Sequence, residues 1–455
     1  MATLLRLPAS KAPMLECRAM DRGLPTSLVS RSRGLALMRG VLALPAARGL
    51  LSLLELLDDE RVPGEKVADA LGRFWGELAA EPDRLLADAW RSYLVKGVLE
   101  DENPFSLAAE RRALSPALVE QARNELGFLH ELYRLDVEAL IRTVEHAAPE
   151  FEGFWTVPRF EPRPDASPRH GMVRMLEEAD DWGVCAPALA EYFARHGAGP
   201  LGRYGSFRWR RGRLLPIERP DPVRLGELVG YGRERGPLLR NTEHLLEGLP
   251  AHHALLYGPP GTGKSSTVKA VLNHYLDRGL RLVQLEKEDL EELPDVIQAL
   301  EGRGPRFVIF VDDLSFEEHE VEYKRLKALL EGGVEAPPEN VCVYATSNRR
   351  NLIRERFSDR EESASDDVHG RDTMQEKLSL SARFGLRLTF PAPDQRRYLE
   401  IVSGLARGRG LGLPEGELRE RALLWDRWHA GRSGRTARQF VDELEAELAS
   451  TRETG

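Results

Sequence analysis

This sequence predicts an α/β fold with a parallel sheet, a helical C-terminal end and a mostly helical N-terminal region, on three observations. Over the second half of the chain, apolar runs of strand length alternate with segments of helix length. One such run, Ala254-Leu255-Leu256-Tyr257, leads directly into Gly258-Pro259-Pro260-Gly261-Thr262-Gly263-Lys264-Ser265, which fits G-x-x-x-x-G-K-[ST]. Before residue 150, apolar residues recur at three-four spacing over several stretches.

The glycine-rich string has the composition of a loop that cradles phosphate. Glycines let successive backbone N–H groups turn inward and form an anion-binding nest. Lys264 is placed to reach the β- and γ-phosphates of a nucleotide, and the Ser265 hydroxyl to ligate Mg²⁺. A helix expected from Ser266 to Leu276 would aim its positive end at the same phosphates. A chance glycine-rich turn is the bland alternative, but the flanking strand and helix supply the context that the motif needs.

Length and composition narrow the class. A chain of 455 residues accommodates two or three domains. Apolar residues at 42% and charged residues at 30% describe a globular chain, neither disordered nor membrane-embedded. A net charge of −9 makes no global case for nucleic-acid binding. Cys17, Cys185 and Cys342 are too far apart for a metal or disulfide pattern and read as buried thiols of a reducing compartment. The first fifty residues lean basic, as in a transit peptide or an ordinary amphipathic helix pair. Arg39 and Arg48 interrupt the apolar stretch from Gly34 to Leu57, which argues against a membrane span. Cytoplasmic helices are the expectation.

In chain order, residues 1–150 form a helical domain, with helices over Leu35–Leu57, Val67–Leu78, Asp83–Leu99 and Leu118–Val144; Ser115-Pro116 marks the start of the last. Residues 151–220 carry Pro158, Pro162, Pro164 and Pro168 and read as a linker or extended segment. Within it, Phe207 to Leu214 alternates in part and is rich in arginine. A charge-protected edge strand is the preferred account of that stretch, ahead of a nucleic-acid contact. Residues 221–392 form the α/β core, with strands at Ala254–Tyr257, Leu280–Leu285, Phe307–Val311, Val341–Thr346 and Leu386–Phe390. A helix is expected over Leu290–Leu300, a charged one over 317–330, and a mobile polar loop over 357–376. Three helices near 394–406, 416–430 and 435–449 then make a helical lid over residues 393–455.

Further residues complete a constellation. The strand Phe307–Val311 ends in Asp312-Asp313, the Walker B pattern, delivering carboxylates to the carboxyl end of the sheet where open α/β folds bind ligands. Asp312 would hold Mg²⁺ and Asp313 would polarise an attacking water, with Glu317 a rival base. Asn348, at the tip of the fourth strand, would position that water.

In this order, these residues resemble the AAA+ ATPase superfamily, an α/β P-loop core with a C-terminal helical lid. The resemblance is strongest to a bacterial family catalogued only as a domain of unknown function. It rests on Asp221-Pro222-Val223-Arg224-Leu225, Gly261 to Ser266, Val311 to Glu317, Tyr344 to Arg350 and Lys377 to Gly385. The resemblance implies ATP and Mg²⁺ as ligands, an oligomer such as a hexamer-like ring, and an unidentified protein or nucleic-acid client. It also implies that Val229, Gly230 and Tyr231 bracket the adenine. The phosphates would lie against Gly258, Pro259, Pro260, Gly261, Thr262, Gly263, Lys264, Ser265 and Ser266. Arg383 falls where an arginine finger reaches a neighbouring subunit's γ-phosphate, with Arg349 and Arg350 as rivals. Arg435 or Arg438 falls where sensor 2 belongs. Two departures stand out: the second Walker B carboxylate is Asp rather than Glu, and Lys287 to Arg306 lacks the aromatic of a polypeptide-threading pore loop. ATP hydrolysis is the expected activity; an ATP-gated scaffold or a nucleic-acid-associated loader with weak hydrolysis is the alternative.

Overall fold

The computed structural model describes residues 24–59, 61–162, 167–316, 326, 327, 330, 338–348, 352, 380–429 and 431–453. Glu317, Arg349, Arg350, most of the expected helix 317–330 and the loop 357–376 lie outside these residues. The chain divides into two compact units, one of residues 1–108 and 114–191, the other of residues 109–113 and 192–455. Each is described by itself.

The first unit is helical. Polar residues start its helices where the backbone N–H groups lack partners. Asp88 accepts from the Arg91 amide at 2.9 Å, so the helix expected from Asp83 begins at Ala89 and runs to Glu100. Asp136 accepts from the Ala139 amide at 3.0 Å and splits the expected Leu118–Val144 helix into Pro116–Tyr133 and Val137–Ala147. Pro45 similarly opens Pro45–Leu57 after the short helix Arg39–Ala43. The buried Glu125 carboxylate collects the amides of Ala36, Leu37 and Met38.

The segment 151–220 corrects an expectation. It is not a linker throughout: Pro168–Glu178 and Ala186–His196 are helices. Ser167 accepts from the His170 amide at 3.3 Å and Pro168 occupies the first turn, so this proline starts a helix.

The second unit holds one sheet. Its strands are β1 (Ser206–Arg210), β2 (Arg213–Pro216), β3 (Ala254–Tyr257), β4 (Leu280–Gln284), β5 (Arg306–Val311), β6 (Val341–Ser347) and β7 (Leu386–Thr389). Among the described residues their order is β2-β1-β4-β5-β6-β3-β7. All neighbours pair in parallel except the β1–β2 hairpin. The arginine-rich stretch is therefore the sheet's edge. Its Phe207 and Trp209 are buried, and the Trp209 indole donates to Glu292 at 2.6 Å. Aromatics turned into the core offer no stacking platform for bases.

The central strands read as continuous apolar runs because both faces are covered. One face packs around Phe307, Ile309, Val343 and Leu290, the other around Leu256, Val268, Phe310 and Tyr344. The second cluster continues into the C-terminal helices Gln395–Gly408, Glu415–Trp428 and Gly434–Glu453 through Tyr398, Ile401, Ala422, Phe440 and Val441. Among the described residues no helix is long and apolar enough to cross a membrane.

Candidate active site

The carboxyl ends of β3, β5 and β6 converge, and the loop from Gly258 to Gly263 joins β3 to the helix Lys264–Tyr275. Gly258 adopts φ +150°, and a Cβ there would collide with the Phe390 carbonyl oxygen; only glycine lets the loop leave β3 beside the end of β7. The Thr262 hydroxyl donates to the Pro259 carbonyl at 2.9 Å and closes the loop on itself.

Lys264 is 6% exposed, and its ammonium donates to the carbonyls of Gly258 at 2.7 Å and Pro259 at 2.9 Å and to Asn348 Oδ1 at 3.1 Å. Burial pushes its pKa down from the ordinary lysine value, while the Asp313 and Asp312 carboxylates oppose that shift. The amide of Asn348 is used at both ends: its Nδ2 donates to Asp313 Oδ1 at 2.7 Å. One unbroken line of polar contacts thus runs Lys264–Asn348–Asp313.

A second line holds the other carboxylate. Ser265 Oγ donates to Asp312 Oδ1 at 2.6 Å, and the Thr346 hydroxyl donates to the same oxygen. Thr346 Oγ also accepts from the Asp313 amide at 2.9 Å, while its carbonyl accepts from the Leu314 amide at 2.7 Å. Thr346 of β6 therefore holds the turn after β5 at three points. Asp313 sits there at φ +52°, a left-handed conformation in which Asp is enriched over most side chains. This backbone gives a local reason for Asp at a position where Glu is usual.

A cavity of about 450 Å³ opens in front of these groups. Its wall includes Pro260 through Ser266, Asp312, Asp313 and Asn348. Val229 and Tyr231 line it as well; Gly230 does not, and faces Arg397 and Ile401. Tyr231 is held, its hydroxyl donating to the Pro391 carbonyl at 2.7 Å, its ring stacked on Phe390 and under the Arg397 guanidinium. Gly434, Arg435 and Arg438 line the cavity from the C-terminal helix. The Arg435 amide donates to the Gly261 carbonyl at 3.3 Å, and Gly261 has φ +76° with Ser433 close by. The phosphate-type loop and the last helix thus touch backbone to backbone.

Gly258 and Pro259 support the loop without facing the cavity. Arg383 is exposed, beyond the short turn Leu380–Ala382, and does not line the cavity. Several lining residues were not singled out from sequence, Thr267, Ile401 and Leu405 among them, and two of the polar ones matter most. Thr346 is one. The other is Arg235, whose guanidinium burial pushes below its ordinary pKa while Glu234 acts against the shift. Among the described residues no group of three or more His, Cys, Asp or Glu side chains forms a metal cluster. A Ser hydroxyl against an Asp carboxylate is instead the hard-oxygen pair suited to Mg²⁺ shared with phosphate.

The family profile described as "Protein of unknown function (DUF815)" matches residues 202–448. The proteasome-activating nucleotidase of Thermococcus gammatolerans is 28% identical over 227 residues, 42% of this chain and 51% of that protein. The 26S proteasome regulatory subunit 6B homolog of Encephalitozoon cuniculi is 26% identical over 197 residues, 37% of this chain and 43% of that protein. The chain thus spans about half the length of these relatives, or less. The RuvB Holliday junction branch migration motor of Thermotoga maritima aligns at 19% identity and a TM-score of 0.36, over 51% of this chain and 67% of that one. The profile covers more than half of the sequence and includes the whole cavity-forming core, and on that ground the chain belongs to the DUF815 family; together with its nucleotidase relatives this sets it within the AAA+ ATPase superfamily.

Proposed function

We propose that the protein binds ATP with Mg²⁺ in the cavity before β3, β5 and β6 and hydrolyses it to ADP and phosphate. The observation that carries this reading is the pair of polar lines Lys264–Asn348–Asp313 and Ser265–Asp312–Thr346, which meet at one end of the sheet. Lys264 supplies positive charge to the β- and γ-phosphates, and the amides of the glycine-rich loop hold them. Ser265 and Asp312 would hold Mg²⁺, which when bound neutralises phosphate charge. Asp313 polarises the attacking water, and Asn348 sets the orientation of that carboxylate. Val229 and Tyr231 flank the base, and Arg435 or Arg438 senses the phosphates from the lid. Arg383, exposed and away from its own subunit's cavity, is assigned to a neighbour's site in a ring-like homo-oligomer. The client is a protein or nucleic acid, and the buried thiols Cys185 and Cys342 suit a cytoplasmic setting.

Lys264→Ala should abolish ATP binding by calorimetry; undiminished affinity would sink the loop assignment. Asp313→Asn should keep ATP and lose most hydrolysis. If turnover survives there and Glu317→Gln abolishes it, Glu317 is the base. The short Asp313 carboxylate favours a second reading, an ATP-gated scaffold or loader with weak hydrolysis. Steady-state turnover compared with nucleotide occupancy separates the two.

A further inference from the structure

At the opposite end of the same sheet lies a cavity of about 560 Å³ that the ATPase reading does not use. It opens at the amino-terminal ends of β4, β5 and β6, and Arg278, Arg306 and Asn340 mark those ends. With β5 six residues long, it sits about 20 Å from the nucleotide cavity. Its volume falls within the range of about 300–1,000 Å³ usual for small-molecule sites.

Its chemistry is one-sided. Among the described residues the wall carries Arg111, Arg112, Arg195, Arg278, Arg303 and Arg306 against Glu110, Glu301 and Glu339. Six guanidinium groups facing three carboxylates leave a local charge of +3 on a chain whose net charge is −9. Glu110 is fully committed: its buried carboxylate accepts from Arg303 Nε at 2.8 Å and from the amides of Ala198 at 2.9 Å and Gly304 at 2.8 Å. It neutralises Arg303 and fixes the floor. Arg278 pairs at 3.4 Å with Glu247, which stands outside the wall. The guanidinium groups of Arg306 and Arg111 have neither a carboxylate nor a hydrogen-bond partner among the described residues.

Both of those guanidinium groups are placed by glycine. Arg306 Nη2 lies 3.0 Å from where a Cβ on Gly248 would stand, and Arg111 Nε lies 3.7 Å from the equivalent point on Gly302. The Arg306 fork and the Arg111 stem thus lie beside backbone that carries no side chain, and neither guanidinium has a hydrogen-bond acceptor among the described residues. Arginine forks match the oxygens of a phosphate group bidentately and are less strongly hydrated than lysine, so converging arginines select phosphate over a single carboxylate.

We infer that this arginine-lined cavity at the amino-terminal end of the sheet is a second anion site that takes a small polyphosphorylated ligand of nucleotide size, with Arg111 and Arg306 as its principal donors. The inference does not rest on hydrolysis at the first site.

The test uses the full chain carrying Lys264→Ala, with sodium tripolyphosphate as the probe, followed by calorimetry at low and moderate salt. Binding that weakens as salt rises is expected. Adding Arg306→Ala or Arg111→Ala should weaken it by about tenfold each, the value of one lost charge-assisted contact. Adding both should remove one site per chain. Arg306→Lys, which keeps the charge and loses the fork, should fall between. Circular dichroism and melting curves confirm that the variants fold, which the exposure of Arg111 and the partial exposure of Arg306 favour. Tripolyphosphate binding that is absent, or that is unchanged by the double substitution, overturns the inference. A single-stranded oligonucleotide that displaces tripolyphosphate at far lower phosphate concentration, and depends on the same two arginines, overturns the small-ligand assignment in favour of a nucleic-acid backbone.

Discussion

Thr346→Val isolates the residue on which both polar lines depend. The replacement keeps the shape and the β-branching that suit a central strand, and removes only the hydroxyl. Thr346 itself is 1% exposed, so water does not take the place of its hydroxyl, while the Asp312 and Asp313 groups that it serves are exposed. Two bonds go together: the one to Asp312 Oδ1 and the one from the Asp313 amide at 2.9 Å. The second loss leaves a part-buried N–H without its partner, at about 0.5–1.5 kcal/mol. It also releases Asp313 from the contact that holds it at φ +52°. Folding stability should fall by about 1–3 kcal/mol, read as a lower urea midpoint at unchanged slope. ATP turnover should fall by at least about tenfold, because both carboxylates lose their orientation. Thr346→Ser, which keeps the hydroxyl, should retain most of both. If Thr346→Val matches the parent in midpoint and turnover while Lys264→Ala still abolishes binding, the hydroxyl is a bystander and the reasoning fails.

Other expectations follow from the same geometry. Gly258→Ala must push the new Cβ away from the Phe390 carbonyl and should cost about 1–3 kcal/mol together with nucleotide affinity; a neutral result by thermal melting and nucleotide titration would mean that the loop relaxes freely. Arg383→Ala should leave ATP affinity intact and lower turnover by about 10³-fold, and mixing it with Lys264→Ala should restore part of the activity. No recovery in demonstrably mixed oligomers removes Arg383 from the site. His253 Nδ1 accepts from the Val343 amide at 3.0 Å, and burial, with His252, pushes its pKa down to about 4. The unfolded chain then takes up the proton first, so stability should fall as pH drops from about 6.5 toward 4 and change little above that window. His196, pushed to about 3 by burial with Arg281 and Arg195 adding to it, acts in the same direction. Urea titrations at several pH values should show a shallower slope for His253→Gln; an identical slope would clear His253.

The glycine-rich loop, the Asp312-Asp313 pair and five strands of the sheet were legible because their signals are local: an apolar run, a turn composition, a fixed spacing. What escaped was set by contacts distant in sequence. Thr346 reads in isolation as an ordinary β-branched strand residue, and only the register of β5 against β6 makes it the clamp on the Asp313 turn. The pairing of β1 with β4 is parallel and spans more than seventy residues, so the hairpin's place in the sheet is invisible to a window of neighbours. Pro168 is a different failure. The Ser-Pro pair that marked the helix at Pro116 recurs at Ser167-Pro168, but three prolines nearby made it read as extended chain. Arg235 gave no signal at all, being one arginine among many on a helix.

The junction between Gly261 and the start of the C-terminal helix has a mechanical consequence. It is made by main-chain atoms, Arg435 N on Gly261 O, with Gly434 against the same oxygen. Side-chain substitutions beyond Gly434, where an added Cβ would press on that oxygen, therefore leave this main-chain contact in place. The helix behind it has 20 residues and is about 30 Å long. A tilt of about 5° pivoted at Gly434 would carry its far end through about 2.6 Å, from the rise per residue alone. The helix is in this sense a lever whose short arm rests on the loop that would feel a γ-phosphate come and go.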